Sequence, residues 1–258
     1  MDLTGKVVVI TGASMGIGEA LAEAFSAAGA HLVLAARSGD RLQALGERLG
    51  QTNSKVLAVA ADITRDDDVA RLCAVATGIA GRVDVVINNA GVGMNGAVAS
   101  MDIAELRRCL EVNLIAPVRV IQAFLPVMNA GGTIVQISSV LGKVSVPYTA
   151  GYNASKYGLN AISDALRLEA AEAGVRVVSV YPGSTESNFR KNSLGAPEVP
   201  KVRLYRMSAA TVAARVVRAV RRGERDVYIT WKDALLCWAA TRWPRLADRI
   251  LSTAYKGK

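Results

Sequence analysis

Lys6-Val7-Val8-Val9-Ile10 is a β-branched run that breaks directly into Thr11-Gly12-Ala13-Ser14-Met15-Gly16-Ile17-Gly18, and residues 19–28 then read as a helix closed by Gly29. Apolar runs without polar alternation are what strands buried on both faces look like, and such strands belong to parallel sheets covered by helices. Residues 31–36 supply a second strand, which completes a βαβ unit. The alternation continues through a helix near 41–49, a strand at 56–60, a helix opened by Asp66-Asp67-Asp68, a strand at 83–87, a helical stretch over 103–128 and strands at 133–137 and 175–180. This order predicts an α/β chain with a doubly wound, Rossmann-like parallel sheet, helices on both faces and right-handed crossovers. A length of 258 residues suits one such domain, here placed at 1–230, followed by a helical extension at 231–258.

The glycine turn after the first strand carries a chemical expectation. Glycines let backbone approach a pyrophosphate, whose charge is stabilised by the N–H groups at the following helix N-terminus. The end of the second strand selects the dinucleotide. An acidic residue there would suit ribose hydroxyls, whereas a 2′-phosphate needs a cation and no carboxylate. The sequence has neutral Ala36 and basic Arg37, so NADP is expected.

Further along, Gly151-Tyr152-Asn153-Ala154-Ser155-Lys156 reads as the start of a helix, with Tyr152 and Lys156 four apart and so on one face. A phenol is a weak base at neutral pH, but a fixed positive charge beside it favours the phenolate. Tyr152 is therefore a candidate proton shuttle, and Lys156 is expected to lower its pKa. Ser139, at the end of the apolar strand 133–137, can hold a substrate oxygen. Asn113 lies within a helical stretch four residues before Pro117, where a disturbed turn could hold water.

Other chemistries are disfavoured. Cys73, Cys109 and Cys237 form no C-x-x-C pair, so neither a disulfide framework nor a zinc site is indicated and a reducing, cytoplasmic compartment is expected. His31 is the single histidine and reads as structural, which argues against histidine triads and His-rich metal sites. Residues 1–5 leave no room for a signal peptide before the first strand. The uncharged run 120–142 is divided by Pro126, Asn129, Gly131 and Gly132 and reads as a helix end and a strand rather than a membrane span.

Taken in order, Thr11-Gly-x-x-x-Gly-x-Gly18, Asn88-Asn-Ala-Gly91, Asn113, Ser139, Tyr152-x-x-x-Lys156 and Pro182-Gly183 resemble the short-chain dehydrogenase/reductase family over roughly residues 5–230. The resemblance implies a nicotinamide-dependent carbonyl/alcohol oxidoreductase, commonly a homodimer or homotetramer. It implies that Tyr152 is the general acid or base, Ser139 orients the carbonyl, Lys156 binds the nicotinamide ribose, and Asn113 anchors a relay water. The cofactor would be held by Gly12, Ser14, Met15, Gly16, Ile17, Gly18, Arg37, Asp62, Ile63, Asn89, Ala90, Gly91, Tyr152, Lys156, Pro182 and Gly183. Two departures stand out. The threonine that usually follows Pro-Gly is represented by Ser187, preceded by Thr185 and Glu186, and the C-terminus lacks the Asp-Gly-Gly ending common among 3-oxoacyl carrier-protein reductases, which weakens that alternative.

Residues 184–207 are expected to form a substrate lid, with Phe189, Leu194, Val199 and Tyr205 suited to an apolar, lipid-derived or steroid-like ketone. Ser208 is expected to cap a helix over 209–222. Net charge is concentrated beyond the lid: residues 1–200 carry 17 Lys and Arg against 18 Asp and Glu, whereas residues 201–258 carry 14 against 4. In the extension, Leu235, Leu236, Ala239, Trp243, Leu246 and Ile250 recur at helical spacing beside Trp231 and Trp238, with Arg242, Arg245, Arg249 and Lys256 as a separate basic stripe. That composition suits either a helix lying on an anionic membrane surface or a cover for the cleft or a second subunit, and not a nucleic-acid reader. A catalytically silent NADP(H) sensor or a membrane-surface scaffold are the non-enzymatic alternatives, and the intact Ser139, Tyr152 and Lys156 count against both.

Overall fold

The computed structural model describes residues 1–51, 55–185, 189, 192–195 and 206–256. Seven parallel strands form one sheet: β1 Val7–Thr11, β2 His31–Ala36, β3 Val56–Ala60, β4 Val83–Asn88, β6 Met128–Ile137, β7 Arg176–Tyr181 and β9 Asp226–Tyr228. Their order is β3-β2-β1-β4-β6-β7-β9, and β5 Met94–Asn95 pairs separately with β8 Leu194–Gly195. The chain runs outward from β1 to β3, then crosses back to place β4 on the other side of β1. The crevice above this reversal lies at the C-terminal ends of β1 and β4, where ligands bind in open parallel sheets.

Period-two side chains in these strands feed two cores. Val8, Ile10, Leu32, Leu34, Val85 and Val135 face one side, against α1 Gly16–Ala27 and the Val212, Val216 and Val220 seam of α7 Ala209–Arg222. Val7, Val9, Val33 and Val86 face the other, against Val69, Leu72 and Ala76 of α3 Asp66–Ala80 and Val120 and Phe124 of α5 Ala116–Phe124. A helix α2 Gly39–Leu49 covers β2 and β3, and α6 Ala150–Glu169 covers β6 and β7. As expected, Ser208 caps α7 by accepting from the Thr211 N–H, and Asp66 to Asp68 occupy the first turn of α3. His31 is structural, its Nδ1 accepting from the Lys55 N–H at 3.0 Å.

Two helices differ from expectation. α1 begins at Gly16 rather than 19, because Gly16, Ile17 and Gly18 themselves make its first turn. The stretch 103–127 is not one α-helix: α4 Ile103–Leu110 passes through a π-helical turn, Glu111–Ile115, into α5 and then a 3₁₀ turn, Leu125–Val127. By length and composition alone this run could cross a membrane, with mean hydropathy 1.4. Here it lies on the sheet, with Cys109, Asn113, Ala116, Val120, Ile121 and Phe124 buried. After β9 come α8 Trp231–Arg242 and α9 Pro244–Lys256, split as expected at Pro244.

Candidate active site

The glycine turn is held open by its neighbours. Gly12 has φ +66°, and a Cβ on it would stand 2.7 Å from Ala90 Cα; a Cβ on Gly18 would stand 2.1 Å from the Gly12 carbonyl oxygen. Ala at either position would therefore push the turn out of place. The Asn89 side chain braces it, Nδ2 donating to the carbonyls of Thr11 at 2.9 Å and Gly12 at 3.1 Å. Thr11 Oγ1 accepts from the N–H groups of Asn89 and Ala90. Asn89 thus acts on the loop itself. Ser14, Met15, Gly16 and Ile17 are half-buried, and Met15 gives α1 no side-chain cap, so the first-turn N–H groups face the crevice without a competing carboxylate or hydroxyl cap. Such a cradle fits a pyrophosphate.

At the adenosine end, Arg37 is exposed after β2 and Asp62 follows β3, the strand paired with β2. Burial opposes ionisation of the Asp62 carboxyl, but Thr64, donating through N at 3.0 Å and Oγ1 at 2.8 Å, and the charges of Arg37 and Arg65 outweigh it and hold the carboxyl below its usual range. Arg65 is a second cation at this end. The spacing Asp62-x-x-Arg65 after an apolar strand was the available signal for it. Ile63 turns its side chain into the core, so only its backbone is left to face an adenine.

The second half of the site joins β4, β6 and α6. Lys156 is buried and donates to the Ile137 carbonyl at 2.9 Å, with Nζ 5.9 Å from the Tyr152 ring centre. Ser139 is buried at the end of β6, its Oγ accepting from the Leu141 N–H at 3.1 Å. A Cβ on Gly91 would lie 3.1 Å from Asn113 Oδ1 and 3.8 Å from Lys156 Nζ, which places the Ala90-Gly91 backbone directly against both side chains. Asn113 is fully buried in the π-helical turn, clamping Val92 through Oδ1 and Nδ2, each at 2.8 Å. Its Nδ2 also donates to Ser155 Oγ at 3.0 Å, and that hydroxyl donates to the Tyr152 carbonyl at 2.7 Å. The Asn113 backbone carbonyl would ordinarily accept from residue 117, but Pro117 has no N–H to give. π-helical turns of this kind recur at functional sites.

Burial governs the titration of the central pair. It pushes Tyr152 up to about 12, the hydrogen bond with Ser139 working the other way, and it pulls Lys156 down to about 8. The expected lowering of Tyr152 by Lys156 is not what this geometry gives. The ammonium donates to the Ile137 carbonyl and lies 5.9 Å from the Tyr152 ring centre, and desolvation outweighs any attraction.

A family model for short chain dehydrogenases matches residues 6–197. The chain belongs to the short-chain dehydrogenase/reductase family. Among curated relatives, mouse dehydrogenase/reductase SDR family member 7B is 35% identical over 264 residues, covering 97% of this chain and 81% of its own. A Burkholderia phymatum short chain dehydrogenase/reductase solved in complex with NAD superposes with a TM-score of 0.86 at 24% identity, covering 96% of each chain. An alcohol dehydrogenase from Thermococcus sibiricus, complexed with 5-hydroxy-NADP, reaches 0.77 at 29% identity, covering 86% of this chain and 95% of its own. Both forms of nicotinamide dinucleotide thus occur among its structural neighbours, and a nicotinamide cofactor suits this short-chain dehydrogenase/reductase.

On the substrate side of this family member, Phe189 meets the Tyr152 ring edge-on with centres 5.8 Å apart, and Leu194–Gly195 pairs with Met94–Asn95, drawing that part of the expected lid over the site. Ser187, Glu186, Val199 and Tyr205 lie outside the described residues. Pro182 is buried, its carbonyl accepting from the Val140 N–H at 3.1 Å; Thr185 Oγ1 donates to the Gly183 carbonyl at 3.3 Å. Beside them stands a residue that sequence reading overlooked. Asp233, in the first turn of α8, lies so close to Gly183 that a Cβ there would be 2.7 Å from Oδ1.

The extension has two sides rather than one. Inward, Cys237 packs with Val140, Val144 and Tyr181, joined by Ala240 and Leu251, and Tyr255 meets Tyr148 with ring centres 6.3 Å apart. Outward, Trp231, Leu235 and Trp238 stand exposed in line with Arg242 at helical spacing, so Arg242 belongs to the apolar stripe and not to a separate basic one.

Proposed function

We propose that this chain catalyses the NADP(H)-dependent interconversion of a ketone or aldehyde with an alcohol, acting on an apolar, lipid-derived or steroid-like substrate. The observation that carries the reading is the convergence of Ser139, Tyr152, Lys156 and Asn113 where the Ala90-Gly91 backbone crosses the ends of β4 and β6. When bound, the nicotinamide supplies a hydride in reduction and accepts one in oxidation. Gly12 to Gly18 hold the pyrophosphate, Arg37 and Arg65 the 2′-phosphate, Asp62 and the Ile63 backbone the adenine side, and Pro182, Gly183, Thr185 and Ser187 the carboxamide.

Ser139 Oγ holds the carbonyl oxygen, stabilising the charge that develops on it. Tyr152 gives that oxygen a proton. A phenol with a pKa of about 12 is protonated at neutral pH, the state a donor needs for reduction. Lys156 holds the nicotinamide ribose hydroxyls, and the Asn113 carbonyl holds a water that resupplies the proton. Phe189 across the Tyr152 ring favours an apolar group beside the reacting carbon. Three free thiols among the described residues suit a reducing, cytoplasmic compartment. Exposed Ile115, Tyr157 and Leu168 on the α5 and α6 side supply an apolar surface for a homodimer or homotetramer.

The test is NADPH oxidation against ketones and aldehydes graded by chain length, with Tyr152→Phe in parallel. Loss of the transferable proton is expected to lower kcat by about 10²- to 10⁴-fold while NADPH binding, followed by fluorescence, persists. Wild-type turnover in Tyr152→Phe would remove the mechanism.

A further inference from the structure

The outward side of α8 and α9 carries a cluster of large apolar side chains that no described element covers. Trp231, Leu235, Leu236, Trp238, Trp243, Leu246 and Ile250 are each between 49% and 71% exposed. A monomer rarely leaves so many large side chains together in water. On α9, Leu246 and Ile250 share one face, Leu251 and Tyr255 point the opposite way, and Arg245 and Arg249 fall beside the outer apolar pair. On α8, Arg242 continues the Trp231, Leu235 and Trp238 stripe, and Trp238 and Trp243 meet edge-on with centres 5.2 Å apart. The described anions of the hairpin are Asp233, committed to capping Thr230, and Asp248.

We infer that this face rests on the surface of an anionic phospholipid bilayer. Tryptophan and leucine would enter the interfacial layer while Arg242, Arg245 and Arg249 meet lipid phosphates and carboxylates, the division of labour of an interfacial helix. A second protein copy would suit the apolar residues but would bring Arg242, Arg245 and Arg249 of both copies onto one interface where the hairpin offers little acidic charge to offset them. The opposite side of the same hairpin packs beside the segments that carry Ser139 and Tyr152, through Leu251 on the Val140 cluster and Tyr255 on Tyr148. Tyr148 has φ +63°, a strained conformation for a tyrosine, and lies four residues before Tyr152. Docking therefore sets the cleft rim at the lipid surface, where an apolar substrate is dissolved. The delivery role rests on the proposed reductase reading; the docking does not.

The three tryptophans of the chain, Trp231, Trp238 and Trp243, all belong to this hairpin, so intrinsic fluorescence reports on it alone. Vesicles of phosphatidylcholine with phosphatidylserine should blue-shift the emission of the full chain and sediment it, without substrate or cofactor, whereas phosphatidylcholine alone should do neither. Each cation near such a surface is worth about fivefold in partitioning, so reversing Arg242, Arg245 and Arg249 to Glu together should reduce binding more than about 100-fold with NADPH binding unchanged. On unmodified protein, 1 M salt should release it, since screening then acts within about 3 Å. Failure to bind acidic vesicles at low salt, equal binding to neutral ones, or salt-insensitive binding would overturn the inference. So would lipid-free self-association that already blue-shifts the tryptophans and is lost in Trp238→Ser, which would assign the face to a second copy. If docking holds but long-chain ketones are not reduced, the reductase reading fails alone.

Discussion

An ammonium with 4% exposure, bonded to a backbone carbonyl and drawn down to about 8, is held where charge is unfavourable, the kind of perturbation that clusters at functional sites. The sign of its contribution follows from linkage. Between about pH 8 and 10.5 the unfolded chain keeps a proton at Lys156 that the folded chain has released, so this group makes stability rise with pH across that window, and lose it again as pH falls through 8. Tyr152 acts oppositely and later: raised from 10.0 to about 12, it contributes stability below pH 10 that is lost as pH climbs toward 12. Lys156→Met is therefore expected to stabilise the protein without added cofactor at pH 7, by about 3 kcal/mol at most, and to flatten the pH 8 to 10 limb in urea unfolding. An unchanged limb would deny the buried charge. A second prediction concerns Arg37 and Arg65. If both face the 2′-phosphate, Arg37→Ala and Arg65→Ala should each weaken NADPH by about one to two decades and leave NADH nearly unaffected. Equal loss for both cofactors in a titration would place the arginines elsewhere.

At the scale of elements, the π-helical turn ties Asn113 to Val92 and to Ser155 of α6. Pro117 denies the Asn113 carbonyl its helical partner, and Asn88 Nδ2 donates to the Pro117 carbonyl at 3.3 Å. Pro117→Ala restores an N–H and a good helix former while keeping that carbonyl. We expect it to raise stability by about 1 kcal/mol or more and to lower kcat about tenfold as the carbonyl is recaptured, general acid-base support being worth at least that much, with the KM for NADPH unchanged. Thermal unfolding and steady-state kinetics check the two halves, and an unchanged kcat would free Asn113 from the relay. The same turn shows where sequence stops being informative. Six of the seven sheet strands, the glycine turn and the Ser139, Tyr152 and Lys156 set are legible because period, punctuation and spacing are local properties. The π-helical turn is set by the clamp of Asn113 on Val92 and Ser155, and Asp233 reaches Gly183 only after β9 and α8 have folded back; neither contact leaves a local pattern. The direction of the Tyr152 shift was missed for a similar reason, since burial is a property of the packed chain and not of an i,i+4 pair.

For the whole molecule, the hairpin is structural on one side and exposed, apolar and basic on the other, and this division predicts different outcomes for two truncations. Ending the chain at 243 removes α9, and with it Leu251 from the Val140 cluster and Tyr255 from Tyr148, but leaves Ser139, Tyr152, Lys156 and the Cys237 contact in place. Folding and NADPH binding should survive. The KM for an apolar ketone should rise several-fold with kcat little altered, because packing beside Val140 and Tyr148 is lost and the reacting groups are not. Ending the chain at 230 also removes α8. Val140, Val144 and Tyr181 then lose Cys237, and Gly183 loses the Asp233 carboxylate packed against it. Burial of one medium apolar side chain is worth about 1.5–3 kcal/mol, so several such losses consume much of the roughly 5–15 kcal/mol that holds a domain folded. The thermal midpoint should fall sharply, and NADPH affinity should fall with it as the Pro182-Gly183 loop loosens. Calorimetry and cofactor fluorescence on the two proteins decide the matter. A chain ending at 230 that melted and bound NADPH as the full chain does would show that the hairpin takes no part in forming the site, and a chain ending at 243 with unaltered KM would take α9 away from the cleft.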